Sequence, residues 1–461
     1  MSNAERDISY LYTPWQRRHL YDRNYSETRI PEVPSAIFET LSHQSFPDMR
    51  LGHDPNFKFT LARSIYKTIL KYVAKQHGKS YIVQPLTPNH FRIEFTSKDK
   101  VKLSWNDVSD PLESTAKPSS YIVYTAIGKR GFDNGRPVKS EDISIELEAG
   151  VPYHFKVTAV NDGGESFPTE VLSALYQPEA TRTVLVVNGF HRLAAPAFID
   201  NDTIQGFDLY ADPGVSYGLT TGWNGVQQCF DKSKMGIEGP GGLGYGGDEL
   251  AGHFIAGNTF DYVKTHVEAI ASARKYNVVS CSKEAFESED IHLKRYDCID
   301  LLLGLEKNDK GALVQYKAFS PQMQQMIGKF IERHGALIVS GAYIGTDMQT
   351  PTERAFLNNV LKLDLGGSVR EFADDKINGL GMNFDIYRSL NDKHYAATST
   401  DILHPISPAY CAMQYANGSS AGVAYNGNDY KCFVMGFPFE CIKSAKTQES
   451  IMRGVLNFVM R

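Results

Sequence analysis

Two short stretches hold residues suited to acid–base or electrostatic chemistry. In PSAIFETLSHQSF (34–46) an apolar run ends in Glu39. A carboxylate closing an apolar strand needs a metal, a base or a hydrogen-bonded network, because isolated charge in apolar surroundings is expensive. In TVLVVNGFHR (183–192) a second apolar run ends in Asn188 and leads into His191 and Arg192. His191 can form a general acid–base pair with Glu306, which follows the apolar CIDLLLG (298–304), and Arg192 can hold an anionic substrate. The turn SGAYIGTD (340–347) adds Ser340, Tyr343 and Asp347 to this candidate pocket. The competing reading is a polar rim of satisfied surface residues, and sequence alone leaves both open.

Other chemistries find less support. The loop 236–257 holds nine glycines, and Gly242, Gly244 and Gly247 spell G-x-G-x-x-G. That fingerprint binds a dinucleotide only directly after a strand and at the start of a helix, whereas this one follows GIEGPG. It reads as an excursion, and no phosphate-binding G-x-x-x-x-G-K-[ST] occurs. A net charge of −5 with interspersed signs argues against a nucleic-acid surface. The six cysteines all follow residue 228 and form no C-x-x-C pair, so they read as buried apolar residues whose pairing is open. No apolar run approaches the ~20 residues of a membrane helix. MSNAERDISY lacks the apolar core of a signal peptide, so the compartment is not encoded here. Ser2-Asn3-Ala4 reads as a cloning remnant, which implies a piece of a longer protein.

The elements that must carry these residues fall into three segments, as 461 residues suggest. In residues 1–80, Phe57, Leu61, Ile65, Ile69 and Val73 recur at helical spacing, so a strand ending at Glu39 is followed by an amphipathic helix. The two offer too little apolar surface for a domain of their own. Residues 81–180 begin with a proline-bearing linker, YIVQPLTPNH, and then switch to period two. VKLSW, YIVYTA, ISIEL and YHFKVTAV read as strands of a small β-sandwich, with Trp105 as core anchor and Tyr153 at a tyrosine corner. In residues 181–461 apolar strands (183–190, 277–280, 298–304, 336–340, 430–437) alternate with helical patterns at 261–276, 320–334, 351–361 and 445–460. Antiparallel strands are expected near 409–415 and 421–425. Continuous apolar strands imply a sheet covered on both faces, a three-layer α/β, flavodoxin-like domain. Ligands of such sheets bind at the carboxyl ends of the strands, which is why Asn188, His191, Arg192, Glu306, Ser340, Tyr343 and Asp347 are singled out.

Three resemblances follow from these residues. The sandwich is similar to a fibronectin type III domain, which implies a spacer or binding module. The strand–G-x-x-x-G turn of SGAYIGTD is similar to the nucleophile elbow of class I glutamine-amidotransferase-like domains, with Tyr343 at the position of the family's cysteine. That resemblance implies the fold, and a ligand-binding relative without amidotransferase activity. AIFETLSH (36–43), with the helix after it, resembles the closing part of zinc-dependent N-acetylmuramoyl-L-alanine amidases, in which Glu39 would correspond to the catalytic glutamate assisting zinc-bound water. The family's His, Glu and His ligands precede this part, and only His19 precedes Glu39 here. No catalytic zinc or other cofactor is therefore expected in this chain, and His43 and His53 read as surface residues. The domain order resembles secreted multidomain proteins of Bacteroidetes-type bacteria, some labelled xanthan lyase. It implies a periplasmic or secreted location and a peptidoglycan or other polysaccharide partner. Two functions are expected: glycan binding beside an amidase completed upstream, or a polysaccharide-active enzyme using residues 181–461. Phe207, Tyr210, Tyr217, Trp223 and Tyr245 offer rings for stacking on sugars, or fill a local core.

Overall fold

A computed structural model of the chain describes residues 2–12, 14, 21–190, 197–208, 261–308, 312, 316–369, 374–389 and 394–461. The molecule is multidomain and rich in β-sheet.

The N-terminal segment holds helices α1 (Ser2–Leu11), α2 (Ser26–Arg29), α3 (Phe46–His53) and α4 (Pro55–Gln76). Asp54 caps α4, its side chain accepting from Asn56 N, and Pro55 stands in the first turn where no amide donor is needed. The helix is as expected, but its buried face is not. Phe57 is buried, whereas Ile69 and Val73 of the apolar stripe are 59% and 46% exposed, and Lys67 is the side chain that goes inside. Its ammonium lies 2.5 Å from Asp7 Oδ2 on α1 and 3.5 Å from Glu113 Oε1, which Arg6 and Lys71 also reach. A five-charge network therefore joins α1 and α4 to the sandwich. The expected strand ending at Glu39 does not form. Residues 34–42 have no regular secondary structure and Glu39 is exposed, since no neighbouring chain among the described residues offers them a ladder.

The sandwich comprises β1 (Asn89–Ser97), β2 (Lys100–Asn106), β3 (Ser120–Ile127), β4 (Arg136–Val138), β5 (Asp142–Glu146), β6 (Tyr153–Asn161), β7 (Gly164–Glu165) and β8 (Leu172–Ala174). Strands β1, β2 and β5 form one layer, and β4, β3, β6, β7 and β8 the other. Trp105 is buried edge-on between Phe91 and Tyr121, and the Tyr153 hydroxyl accepts from Glu148 N at 3.4 Å, as a tyrosine corner does. The expected linker is packed against the sandwich: Val83, Pro85 and Pro88 are buried, and Asn161 Nδ2 donates to Val83 O.

The remaining elements are β9 (Arg182–Asn188), β10 (Phe198–Asp200), β11 (Gln205–Phe207), α5 (Val263–Ala271), β12 (Tyr276–Ser282), α6 (Lys283–Glu287), β13 (Cys298–Gly304), α7 (Pro321–Ile331), β14 (Ala336–Gly341), α8 (Pro351–Phe356), β15 (Leu363–Val369), β16 (Lys376–Gly379), β17 (Met382–Asp385), β18 (Thr400–Pro405), β19 (Tyr410–Tyr415), β20 (Ser420–Asn426), β21 (Lys431–Met435) and α9 (Ala445–Val459). Strands β12, β9, β13, β14 and β21 are parallel in that order, which is 2-1-3-4-5 in chain order. The chain moves to one side from β9 to β12 and to the other from β12 to β13, so right-handed crossovers put α5 and α6 on opposite faces. Accordingly α5 packs with α9, and α6 with α7. Antiparallel β20, β19, β16 and β17 extend one edge.

At the other edge the sandwich joins the sheet. Strand β1 pairs with β12 at Arg92 and Cys281, and Leu175 and Val278 exchange two backbone hydrogen bonds of 2.9 Å. Among the described residues this makes one sheet of twelve strands crossing from sandwich to α/β unit.

Candidate functional site

The site is built from the carboxyl ends of β9, β13 and β14. The strand order reverses between β9 and β13, and in open sheets the crevice there takes the ligand. In this protein the crevice is filled from within. Gly304 has φ +49°, and a Cβ on it would stand 2.2 Å from Phe190 Cδ1, so the Phe190 ring lies directly over the strand end. Tyr262 stacks on that ring at 5.9 Å and Tyr395 meets it edge-on at 5.4 Å. Asn188 and Ser340 stand in register with Leu302 from either side, on one face of the sheet. Both are buried, and Asn188 Nδ2 and Ser340 Oγ have no hydrogen-bond partner among the described residues.

The acids of the expected pocket are tied to the backbone. Asp347 Oδ1 accepts from Asn308 N and Oδ2 from Ala318 N, each at 2.8 Å, which fastens the segment after β13 to the turn after β14. Burial nevertheless pushes this carboxyl up to about 6. Glu306 is buried with its Oε1 3.5 Å from Lys283 Nζ. Tyr343 is buried under the Lys307 ammonium, 4.6 Å from the ring centroid, and burial raises its phenol pKa. Its φ is not in the left-handed region, so the strained backbone of a nucleophile elbow is absent at this residue. The turn's amides are already engaged: Asp401 Oδ2 accepts from Gly345 N at 2.6 Å and Thr346 N at 2.9 Å, and Oδ1 from Thr346 Oγ1 at 2.5 Å. Burial pushes Asp401 up to about 6 despite these donors.

His191 and Arg192 lie outside the described residues, so the expected pairing of His191 with Glu306 has no geometry to report. Tyr210, Tyr217, Trp223, Tyr245, Cys229 and the Gly242–Gly244–Gly247 motif lie outside as well. Phe207 belongs to the β10–β11 hairpin and packs on Phe46 and His53 of α3, at 5.6 and 5.0 Å, so this ring fills a local core.

Sequence reading missed a buried chain of polar groups. His266 of α5 lies 2.8 Å from Asp300 Oδ2 through Nδ1 and 3.4 Å from Glu440 Oε2 through Nε2, and Tyr395 donates to Glu440 Oε1 at 2.7 Å. Burial alone would lower the imidazole pKa, but the two carboxylates override it and push it up to about 10. The one readable signal was an aspartate inside the otherwise apolar CIDLLLG.

Among the described residues of 1–80, no set of side chains converges to fit a catalytic zinc. Glu39 and His43 are exposed on irregular backbone, His53 lies edge-on against Phe207, and His19 is outside the described residues. Among the described residues, no three His, Cys, Asp or Glu side chains converge as a metal site.

No protein-family model and no curated protein sequence matches the chain. Solved structures similar to part of the chain include ones that contain fibronectin type III domains. The twitchin kinase region of C. elegans is 24% identical over 21% of this chain and 17% of its own, with a TM-score of 0.19. The fourth FNIII domain of a human protein is 22% identical over 20% and 79%, with a TM-score of 0.18. The FN1–FN3 domains of chicken CNTN1 are 16% identical over 21% and 34%, with a TM-score of 0.19. Among the described residues no helix is long and apolar enough to cross a membrane.

Proposed function

We propose that this chain is the C-terminal part of a cell-wall amidase-type envelope protein and that its domains bind or position glycan without performing the hydrolysis. On this reading residues 1–80 are the tail of a zinc amidase, 81–180 a fibronectin type III module, and 181–461 a flavodoxin-like, class I glutamine-amidotransferase-like domain. Its location is periplasmic or secreted, and its partner is peptidoglycan or another polysaccharide. The observation that carries the reading is the turn after β14. A buried Tyr343 stands where a nucleophile would, on unstrained backbone, and Asp401 occupies the amides that would otherwise face a developing oxyanion. The 2-1-3-4-5 order of the parallel strands supports the assignment of the large domain.

The test is incubation of the full chain with purified peptidoglycan and with an acidic polysaccharide, measuring bound protein and released product together. Saturable binding without soluble fragments supports the proposal; release of fragments, or no binding to either glycan, sinks it. One observation favours the second reading, a polysaccharide-active enzyme: two buried acids, Asp347 and Glu306, face each other at the strand ends, where perturbed carboxyls often mark a functional site. For that reading His191→Ala abolishes turnover, and an unchanged rate removes it.

A further inference from the structure

His154 is a buried histidine at the seam between the sandwich and the α/β unit. It stands on β6 opposite Ser173 of β8 and is 1% exposed. Its Nδ1 lies 2.7 Å from Ser173 Oγ, and its Nε2 has no hydrogen-bond partner among the described residues. The same Ser173 joins the two units: its amide donates to Ser280 Oγ of β12 at 2.7 Å, and its carbonyl accepts from that hydroxyl at 2.8 Å. Helix α5 of the α/β unit packs on β8, and its Lys264 is the charged side chain that acts on the imidazole. Further along α5, Glu268 feels Lys264, Lys129 and Glu449, but no acid pairs with His154 among the described residues. From the β3 side the backbone of Gly128 favours a proton, and burial and Lys264 outweigh it, pushing the imidazole down to about 4. His266 is the counter-example: two carboxylates hold its proton in an equally buried place.

We propose that His154 is an acid-operated release for this seam: when the imidazole gains a proton, the sandwich separates from the α/β unit along β8 and β12. A proton here creates a second cation near Lys264, buried and without a counter-ion, and the chain escapes that cost by opening to water. Opening breaks the Ser173–Ser280 pair and the two 2.9 Å backbone hydrogen bonds between Leu175 and Val278. The folded pKa lies below the ordinary 6.5, so the seam is fully held above pH 6.5 and weakens as pH falls from there through about 4. The device acts on the attachment of the sandwich and does not depend on the glycan reading.

The test is amide hydrogen exchange of the full chain at about pH 7.5 and about pH 5, corrected for the intrinsic pH dependence of exchange. Mass spectrometry follows peptides covering 172–176 and 276–282, with 337–339 of β14 as internal reference. Protection at the seam should fall about 10- to 30-fold at the lower pH, while β14 keeps its protection. That ratio follows from a group that titrates at 6.5 when the seam is open and at about 4 when it is closed. His154→Gln, which gains no charge at either pH, should show no such fall. Seam protection that falls no further than that of β14, or that falls equally in His154→Gln, overturns the proposal. The comparison of seam with β14 needs only the native chain, so it decides the matter even if His154→Gln does not fold.

Discussion

The imidazole of His266 and the carboxylate of Asp300 stand 2.8 Å apart with both side chains fully buried, although 34 residues separate them in the chain. Glu440 approaches the other imidazole nitrogen from near the C-terminus. One cation is thereby shared between two acids in the middle of the α/β core.

This arrangement fixes a pH dependence. The folded pKa of His266, about 10, lies above its ordinary 6.5, so its contribution is complete below pH 6.5 and is lost as pH rises through 10. Glu440 is held below its ordinary 4.5, so its contribution is complete above that value and lost as pH falls. Urea unfolding should therefore show a stability decline from neutral pH to about 10 that His266→Gln lacks. The variant itself should lose about 3–5 kcal/mol at pH 6, because two buried carboxylates lose their cation. A parallel pH profile for the two proteins would show that His266 is neutral in the fold.

Lys67 offers a second test of buried charge. Lys67→Met leaves Asp7 without its 2.5 Å partner and should destabilise the chain by about 3 kcal/mol. Adding Asp7→Leu should restore much of the loss, since an apolar pair of similar volume can replace a buried ion pair. Chemical denaturation of the two single variants and the double variant measures the coupling. Additive losses would mean that the pair is not a unit.

The sheet crossing from sandwich to α/β unit predicts cooperative unfolding. Ser280 Oγ donates to Ser173 O and accepts from Ser173 N, at 2.8 and 2.7 Å, across the junction. Ser280→Ala should cost about 2–4 kcal/mol by orphaning both backbone groups. Calorimetry should show one transition for the native chain. Two separate transitions, unaffected by the substitution, would mark the sandwich as an independent bead.

Gly304 and Phe190 form a size-matched pair at the strand switch. Gly304→Ala places a methyl group against the Phe190 ring at positive φ and should cost more than about 2 kcal/mol. Combined with Phe190→Leu the loss should be less than the sum of the two, because part of it is a clash that the smaller side chain relieves. Strict additivity in thermal unfolding would place the cost in the backbone alone.

Much of the frame could be read from residues. The strands at 101–105, 121–126, 153–160, 298–304 and 336–340 and the helices at 320–334 and 445–460 stand where periodicity put them. Trp105 and Tyr153 occupy the anticipated core and corner positions. The strand at Glu39 failed for a local reason: an apolar run announces a surface that seeks a partner strand, and none among the described residues lies beside residues 34–42. The site was less legible. Asn188, Glu306, Ser340, Tyr343 and Asp347 were selected by their positions after strands, and the fold spends Asp347 on backbone amides and fills the crevice with Phe190.

The sequence by itself determined most of the strands and helices after residue 100, though not the irregular backbone at 34–42. It could do so because side-chain period and turn chemistry act over a few residues. Only the tertiary structure decided that Lys67 goes inside, that His266 meets Asp300 and Glu440, and that Arg388 is buried. Burial of a charge is a balance between desolvation and partners brought from distant parts of the chain, and local spacing carries no record of those partners.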